Sequence, residues 1–264
     1  MLNKDKHAAI VIPCYNESNR LYFTEFERFL ALNLSITLVF SNDGSSDNTL
    51  QLLESFQMKH PEKVQIIDFR FNSGKAETIR KSFIQLSEKK KYFFLGFLDA
   101  DLSTPLSEMA NMLPSFADTS VDIVMGCRLR RLGTVVQRSV IRHYLGRVFA
   151  TLASLSLKIP VYDTQCGAKW FKSEVIEQII NEPFRSSWFF DIELLKRYLI
   201  LRNFKIKTKS ILELPLNRWV AVDGSKVKSK DFLFAPLELL KIHLAYERKE
   251  VFFTESGVST LADE

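Results

Sequence analysis

Four apolar runs, Ala8 to Ile12, Ile36 to Phe40, Val64 to Phe69 and Tyr92 to Gly96, recur along the first hundred residues, and helical spacing separates each from the next. Leu21, Phe26, Phe29 and Leu30 mark the first intervening helix, Leu50, Leu53 and Phe56 the second, and Ile79, Phe83 and Leu86 the third. Strand, loop and helix repeated at this interval predict an α/β fold, a mostly parallel sheet with helices on both faces. The same constraint puts every loop that follows a strand on one edge of the sheet, where ligands gather in open α/β folds. Asn16 and Glu17, Asp43, Lys75, and the pair Asp99 and Asp101 therefore converge from four separate loops.

The last pair carries the most chemistry. Residues two apart on extended backbone point to the same side, so Asp99 and Asp101 meet at the carboxyl end of the fourth strand. Two carboxylates there suit Mg²⁺ or Mn²⁺, which take one or two carboxylates plus substrate phosphate oxygens. The competing reading is a solvated turn, or a cap for a helix beginning near Pro105. Company at one sheet edge with three other polar loops favours the metal. Lys75 adds a cation at a helix N-terminus, a favourable place for a phosphate.

The second half is less regular. A helix near Leu106 to Phe116 and a strand at Asp122 to Met125 lead into Gly126-Cys127-Arg128. Helical spacing resumes from Ser139 to Leu157, and a polar turn, Asp163 to Gly167, precedes a short apolar run. Ser173 is placed to cap a helix through Ile180, and the segment from Phe184 to Leu195 starts another through Leu201. Phe204 to Leu212 alternates, with Lys205, Lys207 and Lys209 on one side, which predicts a half-buried strand with a basic outer face. Leu216 to Lys230 is rich in turns, and an amphipathic helix follows from about Phe232. We expect one domain over residues 1–230 and a C-terminal helical extension over 231–264.

Composition narrows the setting. With 46% hydrophobic residues in 264, the chain can bury a full core. Cys14, Cys127 and Cys166 are odd in number and far apart, which fits reduced thiols and a cytoplasmic location rather than a disulfide framework. No signal pattern precedes the first strand. The uncharged stretch from Val148 to Leu157 is about half of the roughly 20 residues that span a bilayer. The net charge of +5 is concentrated: no acidic residue lies between Asp122 and Asp163, where Arg128, Arg130, Arg131, Arg138, Arg142, Arg147 and Lys158 fall. Arginines interleaved with aliphatic residues over 138–157 predict a helix lying in a membrane interface, a peripheral contact on the cytoplasmic face, rather than a nucleic-acid surface.

Val11 to Glu17, Asn42 to Asp47, Asn72-Ser73-Gly74-Lys75 and Asp99-Ala100-Asp101, taken together, resemble the inverting family 2 glycosyltransferases of GT-A fold. Thr164-Gln165-Cys166-Gly167 and Trp188 to Leu195 narrow the resemblance to the branch of dolichyl-phosphate glucosyltransferases and their bacterial polyprenyl-phosphate relatives. The resemblance implies a nucleotide-sugar donor, UDP-glucose before a GDP-sugar. Pro13, Tyr15, Glu17 and Asp43 would surround nucleobase and ribose, with Asp43 accepting the uracil imide hydrogen bond. Asn16, Lys75, Asp99, Ala100, Asp101 and Gln165 complete the candidate donor site, with Asp99 and Asp101 holding the metal. Asp191 is the family-matched general base, with Glu193 beside it, and Arg128 and Lys226 are candidates for holding acceptor or diphosphate. Relatives in this branch often carry membrane helices that this chain lacks. The acceptor is expected to be polyprenyl phosphate, the alternatives being a saccharide hydroxyl or a non-catalytic nucleotide-sugar-binding scaffold. Asp99 to Ser103 also approximates a phosphatase nucleophile motif, but on the fourth strand instead of the first.

Overall fold

The computed structural model describes residues 7–137, 140–205, 209–222 and 236–246. Strands β1 (Ala8–Cys14), β2 (Ile36–Asp43), β3 (Val64–Phe69) and β4 (Phe94–Leu98) alternate with helices α1 (Phe23–Leu30), α2 (Thr49–Lys59) and α3 (Lys75–Glu88), as the periodicity predicts. They pair in parallel in the order β3-β2-β1-β4. Helix α4 (Leu106–Met112) and a 3₁₀ turn (Leu113–Ala117) lead to β5 (Ile123–Cys127). The chain then makes β6 (Val135–Gln137), α5 (Val140–Leu157), β7 (Ala168–Lys172), α6 (Ser173–Ile179), α7 (Phe190–Leu201), β8 (Ile211–Pro215) and β9 (Arg218–Val220). A last helix, α8, covers residues 236–246.

The sheet is completed as β4-β7-β5-β8, with β7 antiparallel to both of its neighbours. A separate parallel pair joins β6 to β9. Alternate residues of each central strand enter different cores. Ala9, Val11, Leu95 and Phe97 face the layer of α3 and α7, whereas Ile10, Ile12, Phe94 and Leu98 face that of α1 and α4. Fully buried Trp170 crosses to α4, where its indole N–H donates to the Met109 carbonyl at 2.9 Å. The three cysteines are buried and form no disulfide, and burial raises the Cys166 thiol to about 11 and Cys127 well above its ordinary value.

Several boundaries differ from expectation. β2 continues through Asp43, because Asn42 and Asp43 still pair with Asp68 and Phe69 of β3. Ser173 does not cap α6: it is the first helical residue, and its hydroxyl has no hydrogen-bond partner among the described residues. The strand expected from Phe204 starts at Ile211, because Asn203 and Phe204 both take left-handed backbone (φ 49° and 55°) as the chain leaves α7. Lys205 and Lys209 thus do not lie on a strand, and Lys207 lies outside the described residues. The helix expected near the C-terminus is present over 236–246, where Leu239, Ile242 and Tyr246 enter the same core as α7. Residues 231–235 and 247–264 lie outside the described residues.

Away from the ligand edge, Asp122 closes the start of β5. Its carboxylate accepts from Lys172 Nζ (2.9 Å), the Tyr198 hydroxyl (2.8 Å) and Arg202 (2.6 Å). Burial opposes the charge, but these donors hold the Asp122 carboxyl below its usual range. Asp122→Asn should destabilise the protein by about 2 kcal/mol at neutral pH, since it leaves two cations without their counter-ion. A lowered folded value means the contribution is complete above the unfolded carboxylate range and is lost as pH falls through the folded one. Urea titrations should therefore show the gap between wild type and variant closing in strong acid.

Candidate functional site

The loops after β1 and β2 are locked to each other before any ligand binds. Asn16, with positive φ of 53°, accepts from Ser46 N (2.9 Å) and donates its own N–H to Ser45 Oγ (3.0 Å). Glu17 N–H reaches Thr49 Oγ1 and Ser18 N–H reaches Asp47, whose carboxylate also accepts from Thr49. Burial works against that carboxylate, but hydrogen bonds from Thr49 and Ser18 bring Asp47 down to about 2. Asn16 is thus a clasp between loops and does not line the cavity they enclose, while Pro13, Tyr15, Glu17 and Asp43 do. Asp43 Oδ1 accepts from Ser73 N–H and Oδ2 from Gly74 N–H, both at 2.8 Å. It therefore fixes the turn that starts α3, and a ligand can use only its remaining lone pairs.

Lys75, the first residue of α3, extends to Asp99 Oδ1 at 2.5 Å, over the rings of Phe97 and Phe190. Burial disfavours its charge, yet Asp99, Asp191 and Asp101 together raise the ammonium above its ordinary value. Asp99 rests against Gly167: a Cβ there would lie 2.0 Å from Asp99 Oδ2. Asp101 has Oδ1 occupied by Ser103 N–H (3.0 Å), and left-handed Leu102 turns the chain between them. Among the described residues no group of three or more His, Cys, Asp or Glu forms an all-protein metal cage. A pair of carboxylates at a strand end is the donor set a hard cation uses when diphosphate oxygens complete its shell.

The far wall begins at Asp191 in the first turn of α7, 4% exposed. Its Oδ1 receives Lys169 Nζ at 2.6 Å, and Lys169 also donates to the Cys166 carbonyl. Burial raises the Asp191 carboxyl against the pull of Lys169 and Lys75, while Asp99 adds to the rise. Glu193 turns away: it accepts from Arg185 N–H, Arg197 and the Tyr246 hydroxyl, entirely buried. Lys169 has a legible signal, a lysine inside the otherwise apolar β7 sequence Ala168-Lys169-Trp170-Phe171, which demands a facing carboxylate.

Arg128 makes a two-pronged pair with Asp163, Nε and Nη2 each at 2.7 Å, under the Trp219 ring. Burial opposes both charges, but the pair holds Arg128 above and Asp163 below their ordinary values. Glu213 fastens the same loop from behind, accepting from Tyr162 and Asp163 N–H at 2.7 Å. Arg147 of α5 stacks 3.6 Å from the Tyr162 ring centre and donates to its carbonyl. Arg20, Thr164 and Trp219 were not among the candidates, yet all three line the cavity with Gln165, and Arg147, expected on the lipid-facing side of its helix, lines it too. Thr164 Oγ1 and Gln165 Nε2 have no partner among the described residues. Lys226, Arg138 and the side chain of Arg142 lie outside the described residues.

The groups that line the site enclose one cavity of about 630 Å³. One end is built from the β1, β2 and β3 loops, the middle from Asp99, Asp101, Lys75 and Asp191, and the other end from Arg128, Arg147, Phe149, Trp188, Phe189 and Trp219.

A mostly parallel sheet carrying paired carboxylates beside a lysine-headed helix at its loop edge defines an α/β protein with its ligand site at the carboxyl ends of the strands. The Glycosyl transferase family 2 signature matches residues 9–180, and the chain belongs to that family. It is 31% identical over 260 residues to the dolichyl-phosphate beta-glucosyltransferase of Saccharomyces cerevisiae, covering 90% of this chain and 74% of that one. The human dolichyl-phosphate beta-glucosyltransferase is 28% identical over 258 residues, covering 89% and 76%. Among solved structures, glucosyl-3-phosphoglycerate synthase of Mycobacterium tuberculosis with Mn²⁺, UDP-glucose and phosphoglyceric acid superimposes with a TM-score of 0.63 at 15% identity, over 91% of this chain and 79% of that one. The fold is therefore the GT-A fold, and the protein is a glycosyltransferase.

Proposed function

We propose that this chain transfers glucose, with inversion, from UDP-glucose to a polyprenyl phosphate at a membrane surface, using Mg²⁺ or Mn²⁺. The observation that carries this reading is the single cavity joining a carboxylate-and-lysine centre to an end made of arginines and aromatic rings. The names of the relatives support the sugar and the lipid phosphate, and the Mycobacterium tuberculosis complex supports the donor and metal class. The β1 and β2 loops would receive uridine, with Glu17 and the free lone pairs of Asp43 as acceptors. Asp99 and Asp101 would hold the divalent cation, which when bound neutralises charge developing on the leaving diphosphate. Lys75 is placed to share that charge from the start of α3.

An acceptor phosphate oxygen is already anionic, so it needs cations more than a base. Arg147 keeps guanidinium donors beyond those on Tyr162, and Arg128 keeps those not held by Asp163. Asp191, whose Oδ1 receives Lys169 Nζ, then faces the sugar as positive charge builds on it; for an acceptor still carrying its proton it is the group placed to take it. Helix α5 shows a second face outside the cavity, where Tyr144, Leu145, Val148, Leu152 and Leu155 are exposed. That face suits peripheral contact with lipid. Among the described residues no helix is long and apolar enough to cross a membrane.

The test incubates purified protein with UDP-glucose or GDP-sugars, Mn²⁺ or Mg²⁺, and either short-chain polyprenyl phosphate in detergent micelles or saccharide acceptors. Glucose should appear on the lipid phosphate, EDTA should stop it, and Arg147→Ala should raise the KM for lipid about tenfold. Transfer to saccharide hydroxyls alone would overturn the acceptor, and turnover only with GDP-sugars would overturn the donor.

A further inference from the structure

Helix α8 does not line the cavity, yet one of its side chains reaches the loop that does and another reaches the α7 residues that hold that loop. The Tyr246 hydroxyl donates to Glu193 Oε1 (2.7 Å) and accepts from Arg197 Nε (2.8 Å). Arg197 directs its other N–H groups to the carbonyls of Ile179 (2.9 Å), Glu182 (2.7 Å) and Pro183 (2.8 Å) and to Glu193 Oε1 (2.7 Å). Glu193 Oε2 accepts the backbone N–H groups of Arg185 (2.8 Å) and Ser186 (3.3 Å). A second line runs from Glu238, which is hydrogen-bonded to Ser186, to the Ser186 hydroxyl that receives Phe189 N–H at 3.1 Å.

The segment between α6 and α7 therefore takes its shape from side chains, because it has no strand or helix ladder of its own. Its last residues, Ser187, Trp188 and Phe189, form part of the cavity wall, and Phe189 stacks on Phe149 of α5 with ring centres 4.7 Å apart. Buried polar networks of this kind fix one geometry when every member is satisfied and lose it when one is removed.

We infer that α8 is a positioning element for the acceptor end of the cavity, in which Tyr246, through Glu193, and Glu238, through Ser186, set Trp188 and Phe189 against the incoming acceptor. This rests on the reading above that the arginine-and-aromatic end takes the acceptor. Tyr246 and Glu238 are positioning residues: neither touches the cavity.

The experiment uses the full chain carrying Tyr246→Phe or, separately, Glu238→Ala, the latter on a partly exposed side chain whose loss does not open the core. With UDP-glucose, Mn²⁺ and short-chain polyprenyl phosphate in micelles, each variant should raise the KM for lipid about fivefold with the KM for UDP-glucose unchanged. Slow UDP-glucose hydrolysis without acceptor should also stay at the wild-type rate. Acrylamide quenching assigned to Trp188, by difference from Trp188→Phe, should increase in both variants. A KM for lipid that stays constant, or rises only in step with that for donor, overturns the inference, as does unchanged quenching, even where thermal stability falls. If wild type glucosylates no lipid phosphate, the proposed acceptor fails, and the quenching result alone decides whether α8 sets the loop.

Discussion

Asp101→Asn is expected to lower glucosyl transfer about 10³-fold while leaving the thermal midpoint within about 2 °C of wild type. The separation between activity and stability follows from what Asp101 touches. Its one hydrogen bond among the described residues is from Ser103 N–H to Oδ1, which an asparagine carbonyl oxygen also accepts, and the side chain is only part-buried. What the substitution removes is negative charge next to Asp99, at the place proposed for a divalent cation between protein and diphosphate. Asp99 is a poorer probe, since it also pairs with Lys75 and packs on Gly167. Initial rates over a Mn²⁺ titration check the prediction: the variant should need far more metal for whatever activity it retains. Wild-type rates in the variant at low metal would remove Asp101 from the site.

Gly167→Ala should cost about 10²-fold in transfer, although it adds one methyl group and no charge. The new Cβ would lie 2.0 Å from Asp99 Oδ2 and 2.4 Å from Asp99 Cγ, far inside contact distance. Backbone retreat is barred because the Gly167 carbonyl accepts Asp99 N–H at 3.1 Å, just beyond the antiparallel pairing of β4 with β7. The carboxylate has to rotate away, which breaks its contact with Lys75 and moves it from its partner Asp101. Gly126→Ala is the control for a crowded glycine outside the centre. Its Cβ would meet the end of the Leu216 side chain at 2.9 Å and Cys166 Sγ at 3.1 Å, so it should lower the thermal midpoint more than it lowers transfer. Equal activity losses from the two substitutions would mean that Asp99 tolerates displacement.

The parallel half of the sheet was legible because apolar runs bounded by turns state both strand and period, and parallel order then fixes which loops share an edge. That is why Glu17, Asp43, Lys75, Asp99 and Asp101 could be grouped without coordinates; Pro13 and Tyr15 were added by the family resemblance, and all seven line one cavity. Strand direction is not written in local pattern, so the antiparallel insertion of β7 was not foreseen. Asp191 and Glu193 look equivalent in sequence, but two residues on a helix differ by about 200° in direction, which sends one to the cavity and the other to Arg197. Asn16 has the motif but serves the loop, as its positive φ and its bonds to Ser45 and Ser46 show. The misplaced strand after Phe204 had real alternation; two left-handed residues overrode it.

The antiparallel course of β7 has a consequence for how such a protein diversifies. β5 ends at the ligand edge, and because β7 runs the other way it begins at that edge too. The excursion between Cys127 and Ala168 therefore leaves and re-enters at one location, where Arg128 and Asp163 tie its two ends together. Apart from β6, which pairs with β9, and the face of α5 that enters the core, segments inserted, shortened or exchanged inside that tie need not disturb the strand order of the seven-stranded sheet or the loops of β1, β2 and β3. In the proposed function, one half of the chamber is then free to drift toward new recipients while the half assigned to the activated sugar stays fixed.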